Sequence, residues 1–215
     1  EEEYQIIAQQ LREPSGDFCL KVADKMNLSN ELMNLATIEK LNPSPLDNIL
    51  EIGMGNGIFV SKILSQDSSI KYCGCDISEL MIQEAKKNNE KFIKNQQTSF
   101  ILRNTTNLPF ENSTFTKIFT INTLYFWDNP QYQLSEIYRV LKKEGELLIS
   151  IRPKKVLEQY PFSKYGFTMY SEEDVCKLLV ENNFKILDVL KKEETNNDLM
   201  NNIVNREILI IHSKI

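Results

Sequence analysis

Asn48-Ile49-Leu50-Glu51-Ile52-Gly53-Met54-Gly55-Asn56-Gly57 is the stretch that decides the fold. Ile49, Leu50 and Ile52 form a short apolar strand that runs straight into three glycines spaced G-x-G-x-G. Ile58, Phe59, Ile63 and Leu64 follow at helical spacing. Glycines at a strand-to-helix turn permit positive φ and let a ligand come close to the main chain. The helix behind them offers free N–H groups and a positive dipole end. The turn therefore reads as the nucleotide-cofactor corner of an α/β sheet. The alternative is a glycine turn that only packs a helix on a strand, and the rest of the chain decides between them.

The spacing narrows the ligand. A dinucleotide fingerprint, G-x-G-x-x-G, needs its third glycine at position 58, where Ile58 stands; the third glycine sits one residue early, at Gly57. Glu51 lies in the strand end, two residues before the first glycine. A carboxylate there suits a ligand with an ammonium group and is badly placed beside a pyrophosphate. Both features disfavour a nicotinamide dehydrogenase.

Composition removes other classes. The 215 residues, 41% hydrophobic, suffice for one α/β domain with a full core. A net charge of −5 with no basic block argues against a nucleic-acid partner. No apolar run reaches membrane-spanning length, and no signal-peptide pattern follows Glu1, so a cytoplasmic protein without a membrane partner is expected. Cys19, Cys73, Cys75 and Cys176 have no metal or redox spacing, and the single histidine, His212, excludes a His-rich site and speaks against a Ser-His-Asp hydrolase; no metal is expected.

Residues 1–46 read as helical. Tyr4, Ile7, Ala8 and Leu11 share a face broken by Pro14-Ser15-Gly16, Phe18, Val22 and Met26 form a second stripe, and Ser29 is placed to cap a third helix, 30–41. These helices precede the first strand and are expected to cover the cofactor, with 47–215 as one compact unit. Strands and helices then alternate: strand 70–75 ending at Asp76, helix 79–95, strands 100–102 and 117–121, helix 131–141, strand 146–151, helix 171–179, and closing strands 184–190 and 207–211 joined by a polar loop, 191–205. Alternation of this kind means a parallel sheet with helices on both faces.

Asp76 stands 23 residues after Gly53, at a strand tip where an acid can accept both ribose hydroxyls of an adenosine. Ile77 and Met81 follow, placed to flank an adenine. Leu108-Pro109-Phe110 ends the turn after the third strand, and Glu136-Ile137-Tyr138-Arg139-Val140-Leu141-Lys142 forms the helix before the fifth. With E-x-G-x-G-x-G at 51–57, these motifs make residues 48–152 resemble the class I S-adenosylmethionine-dependent methyltransferases, of the small-molecule (UbiE-like, methyltransferase-11-like) type. The resemblance implies a Rossmann-like, seven-stranded, mostly parallel sheet whose last strand is antiparallel. It implies S-adenosyl-L-methionine as cofactor and S-adenosyl-L-homocysteine as product. It places cofactor contacts on Glu51, Gly53, Gly55, Asn56, Gly57, Asp76, Ile77, Met81, Asn104, Thr105, Asn122 and Thr123. Three positions depart from the family: Asn104 replaces an acid that meets the adenine amino group, Thr116 replaces another acid, and Lys143-Glu144-Gly145 replaces Pro-Gly-Gly.

The implied reaction is in-line displacement of a methyl group from a sulfonium, in which the protein mainly aligns the reactants. Tyr125 and Trp127, beyond the fourth strand, are the catalytic candidates, because ring faces stabilise a sulfonium. Residues 160–170 hold five aromatics in eleven positions; with Tyr125 and Trp127, Tyr160, Phe162 and Tyr165 are expected to wall an apolar or aromatic small-molecule pocket, the alternative being a connector packed on the sheet. No general base stands out. A non-catalytic cofactor-binding or scaffold protein is the competing reading. Asn122-Thr123-Leu124-Tyr125 lacks the prolines of nucleic-acid amino-methyltransferases.

Overall fold

The computed structural model describes residues 1–16, 19–197 and 203–215. β1 (Asn48–Ile52) lies at the centre of the sheet, which is why it is apolar on both sides: Leu50 and Ile52 point into one hydrophobic layer and Ile49 into the other. The same alternation runs along β2 (Lys71–Asp76), β4 (Phe115–Ile121) and β5 (Leu141–Ile151). One layer is closed by Leu134, Ile137 and Val140 of α6 (Pro130–Val140) and Val175, Leu178 and Leu179 of α7 (Glu172–Glu181). The other is closed by Met33, Ala36 and Leu41 of α2 (Cys19–Leu41), Val60, Ile63 and Leu64 of α3 (Val60–Leu64), and Ile82 and Ala85 of α4 (Glu79–Asn88).

With β3 (Thr98–Leu102), β6 (Lys185–Asn197) and β7 (Ile203–Lys214), the described residues form a seven-stranded sheet in the order β3-β2-β1-β4-β5-β7-β6. β1 pairs parallel with β2 and β4, β2 with β3, and β4 with β5, whereas β7 runs antiparallel to both β5 and β6. The strand order reverses between β1 and β4, and a crevice opens there beyond the strand ends. This is the Rossmann-like arrangement expected. No helix among the described residues is long and apolar enough to cross a membrane.

Three details differ from the sequence expectation. α2 runs unbroken through Ser29, which is buried and receives hydrogen bonds from Arg206 rather than capping a helix; nothing in Asn27-Leu28-Ser29-Asn30 interrupts a helix. Of the second stripe, Phe18 lies outside the described residues, and Val22 and Met26 stand on α2. The helix expected over 79–95 splits into α4 and α5 (Glu90–Lys94), because the Asn89 side chain turns back to donate to Gly57 O (2.9 Å) and Ala85 O (3.0 Å). The described part of the polar segment, 191–197 and 203–205, is strand: β6 is one edge of the sheet, where Lys191, Lys192 and Glu193 face solvent and discourage further pairing.

The Glu136–Arg139 pair explains why its motif travels with Leu-Pro-Phe. Arg139 donates to Phe110 O (2.7 Å), Leu108 O (3.0 Å) and Asn112 Oδ1 (3.0 Å), while Glu136 accepts from Leu108 N (3.1 Å) and from Arg139 (2.8 Å). Arg139→Met is expected to lower stability by about 2 kcal/mol, since it strands carbonyls that a charged donor satisfied; the shift of a urea-unfolding midpoint checks it.

Candidate active site

The glycine turn is built by close approach. Gly53 has φ +72°, and a Cβ there would sit 2.3 Å from Thr123 Cγ2 on the neighbouring loop. Gly55, at φ +58°, is open: a Cβ would meet nothing within 4 Å, and the residue faces a cavity. Thr123 is itself held by a short hydrogen bond to Thr120, whose hydroxyl donates to Ile52 O (2.9 Å). Asn122, at φ +57°, turns the chain off β4; asparagine tolerates this left-handed geometry better than most side chains.

Two carboxylates converge on this turn. Asp76, at the tip of β2, accepts from Gly55 N (2.9 Å) and Ser78 N (2.9 Å), so it clamps the loop while remaining in the cavity wall. Burial raises its pKa and the backbone donors at Ser78 and Gly55 oppose that rise. Glu51 accepts a 2.5 Å hydrogen bond from the Tyr72 hydroxyl. Burial lifts its pKa from 4.5 to about 7; the Tyr72 bond lowers it and the charge of Asp76 raises it.

The cavity beyond these strand ends has a volume of about 410 Å³. Eleven of the twelve residues expected at the cofactor line it: Glu51, Gly53, Gly55, Asn56, Asp76, Ile77, Met81, Asn104, Thr105, Asn122 and Thr123. Gly57 does not; it lies behind the turn, against Ala85 and Asn89 of the α4 end. Asn104 reaches the wall, but its side-chain oxygen already accepts from Thr106 N (2.9 Å) and the Thr106 hydroxyl, so it is less free than expected to meet an adenine amino group. Nearby Gln133 is buried on the same wall; its Nε2 donates to Thr105 Oγ1 (3.1 Å) and its Oε1 has no partner among the described residues. Only the fold brings Gln133 there, since its helix pattern reads as ordinary surface.

The N-terminal helices form the remaining wall. Leu11 and Arg12 of α1 (Glu2–Arg12), then Glu13 and Pro14, and Ala23, Met26, Asn30 and Asn34 of α2 all line the cavity. Ser78 Oγ donates to Pro14 O (2.8 Å), and Arg12 pairs with Asp128 at 3.2 Å on the exposed rim.

A second cavity, of about 80 Å³, adjoins the first and shares Leu11, Met26, Asn30, Asn122 and Phe126 with it. The aromatic candidates divide between the two. Trp127 lines the larger; Tyr125, Tyr160 and Phe162 line the smaller, with Tyr160 stacked on Phe162 at 5.2 Å. Tyr165 lines neither; it stands at the end of the 3-10 turn Pro161–Lys164, beyond Phe162. The Tyr125 hydroxyl is buried among Asn122 Oδ1 (3.0 Å) and the Arg152 main chain, and burial pushes its pKa further up, so it positions the loop and offers no base. His212 pairs with Glu146 at 3.1 Å, away from both cavities. Thr116, another departure, bonds Asp47 Oδ1 (2.8 Å) and is structural.

Residues 50–149 match the family described as methyltransferase domain. The chain is 27% identical over 130 residues to the uncharacterized methyltransferase YdaC of Bacillus subtilis, covering 60% of this chain and 70% of that one. It is 33% identical over 172 residues to the uncharacterized protein MJ1123 of Methanocaldococcus jannaschii, covering 75% and 77%. Among solved structures, an S-adenosylmethionine-dependent methyltransferase from Aquifex aeolicus superposes with a TM-score of 0.68 at 18% identity, covering 98% of both chains. Fold, glycine turn, acidic strand tips and sequence relatives agree: the chain belongs to the class I S-adenosylmethionine-dependent methyltransferases.

Proposed function

We propose that the larger cavity binds S-adenosylmethionine and that the protein transfers its methyl group to a small, apolar or aromatic molecule entering through the smaller one. The observation that carries this reading is the placement of two acids on one cavity, Asp76 at the tip of β2 and Glu51 at the tip of β1, on either side of the open Gly55 turn. The residues fit the cofactor. Asp76 is placed for ribose hydroxyls, Ile77 and Met81 for the two faces of an adenine, and Glu51, with Asn56, for an amino-acid end carrying an ammonium group.

When bound, the cofactor supplies an electrophilic methyl on a sulfonium. The chain's own contribution is alignment and exclusion of water. Phe126, on the boundary shared by the two cavities, and Trp127, on the wall of the larger one, offer ring faces suited to a cation. Residues 1–46 act in this reading as a cover on the unit 47–215, and the aromatic walls Tyr160 and Phe162 select the acceptor.

Calorimetric titration with S-adenosylmethionine and S-adenosylhomocysteine tests the reading. Micromolar binding is expected, weakened at least tenfold by Asp76→Ala, which removes both the ribose acceptor and the clamp on Gly55. Wild-type protein that binds neither compound would overturn it. Binding without turnover of any aromatic or aliphatic acceptor would favour a non-catalytic cofactor-binding protein.

A further inference from the structure

Two arginines and one glutamate are buried together where the cover meets the terminal hairpin. Arg152 leaves the end of β5, Glu194 stands on β6 and Arg206 on β7, and their side chains are only 6%, 1% and 6% exposed. Glu194 Oε1 accepts from Arg152 Nη2 (2.5 Å) and from Arg206 Nη2 (2.9 Å). Arg206 also donates to Ser29 Oγ (3.0 Å) and Ser29 O (2.8 Å), and Arg152 Nη2 to Asn30 Oδ1 (3.3 Å).

The cluster is neither neutral nor saturated. Among the described residues two guanidinium groups, which stay protonated, face one carboxylate, leaving one net positive charge in a buried place. Arg152 Nε and Nη1 and Arg206 Nε, three donors, have no hydrogen-bond partner among the described residues, against one unpartnered acceptor, Glu194 Oε2. A buried strut that merely tied α2 to the hairpin would gain nothing from the second arginine, since an uncompensated buried charge is strongly unfavourable. Both arginines line the smaller cavity, whereas Glu194 stands behind them, outside the lining. Tyr160, Phe162 and Phe167 form the apolar wall next to the arginines.

We propose that Arg152 and Arg206 hold the carboxylate of the methyl acceptor, so that the substrate class is an apolar or aromatic monocarboxylate. The assignment rests on the acceptor reading given above. Guanidinium N–H groups bind carboxylates through directed, charge-assisted hydrogen bonds. One net charge in the cluster matches a monoanion, and Glu194 disfavours a second negative charge. A volume of about 80 Å³ takes the carboxylate and the first part of its stem, and the shared boundary at Asn122 and Phe126 leads the remainder toward the larger cavity.

The test is calorimetric titration with 3-phenylpropionate and octanoate, each beside its neutral amide, on the full chain with and without S-adenosylhomocysteine. The acids are expected to bind at least tenfold more tightly than the amides. Arg206→Gln should remove that preference, and Glu194→Gln, which raises the net charge, should strengthen it severalfold; a folding defect cannot produce both signs. The proposal is overturned if neither acid binds, if amide and acid bind alike, if Arg206→Gln keeps the preference, or if phenyl phosphate outcompetes the carboxylates. Normal S-adenosylhomocysteine binding alongside any of these results would leave the cofactor reading standing, so the two fail separately.

Discussion

A Gly53→Ala protein is expected to lose both stability and cofactor binding, and a second substitution across the loop should return part of the loss. Two effects act at this position. The residue has φ +72°, where a side chain costs about 1–2 kcal/mol. The new methyl would also sit 2.3 Å from Thr123 Cγ2, and forced overpacking of this kind costs about 1–3 kcal/mol. Together these make roughly 2–5 kcal/mol, a large share of the roughly 5–15 kcal/mol that holds a typical domain folded. Thr123→Ser removes the offending methyl while keeping the hydroxyl that meets Thr120. The double variant should recover the packing part and keep the backbone part. Denaturation midpoints of the four proteins in this cycle measure both. A double variant no more stable than Gly53→Ala alone would show that the Thr123 contact is not the source.

Affinity for S-adenosylmethionine is expected to rise with pH through Glu51 over the range in which the stability of the cofactor-free protein falls. Burial raises the Glu51 pKa from 4.5 to about 7. A carboxyl whose folded pKa is raised contributes stability that is fully present below its ordinary pKa and is lost as pH climbs through the folded value. Without cofactor, wild type should therefore lose up to about 3 kcal/mol relative to Glu51→Gln as pH rises from 4.5 to about 7, and the gap should stay constant above that. An ammonium group prefers the ionised form, so binding should strengthen through the same range, by up to about tenfold per pH unit below 7. Affinity should fall again once the ligand's α-amino group, with an ordinary pKa of about 8, loses its proton. Glu51→Gln should abolish the acid limb and lower the peak by the full height of that limb, at least tenfold. Titrations from pH 5.5 to 9 in both proteins decide the matter; an unchanged acid limb in Glu51→Gln would remove Glu51 from the cofactor site.

What could be read in the sequence was local. The strand, three glycines, Asp76 and the Glu136–Arg139 helix are legible as residue types at fixed short spacings, although Arg139 does its work on Leu108 and Phe110, 31 and 29 residues away. Asn89 ends α4 through the carbonyl of Gly57, 32 residues away, and no helical periodicity reports such a partner. Asp47 absorbs Thr116 across two strands, so the family departure there has no bearing on the cavity. Arg152, Glu194 and Arg206 are separated by 42 and 12 residues and meet only because β7 lies between β5 and β6. Their segments read as a strand end and a polar loop. The aromatic run 160–170 was legible as a wall, but which ring faces the cavity depended on the 3-10 turn at Pro161–Lys164, where Phe162 lines the cavity and Tyr165, at the end of the turn, does not.

Asp76 and Glu51 reach the cavity with their rotamers already chosen. Asp76 is fastened by two backbone donors and Glu51 by a phenol, all from the protein itself. Ordering a mobile side chain at a binding surface costs about 0.5–1.5 kcal/mol, and here folding has already met that cost for both acids. A ligand arriving at this corner loses its own freedom but imposes little on its host. Weakening Tyr72 or the Gly55 clamp would then raise the entropic penalty of binding without removing a single atom that touches the ligand.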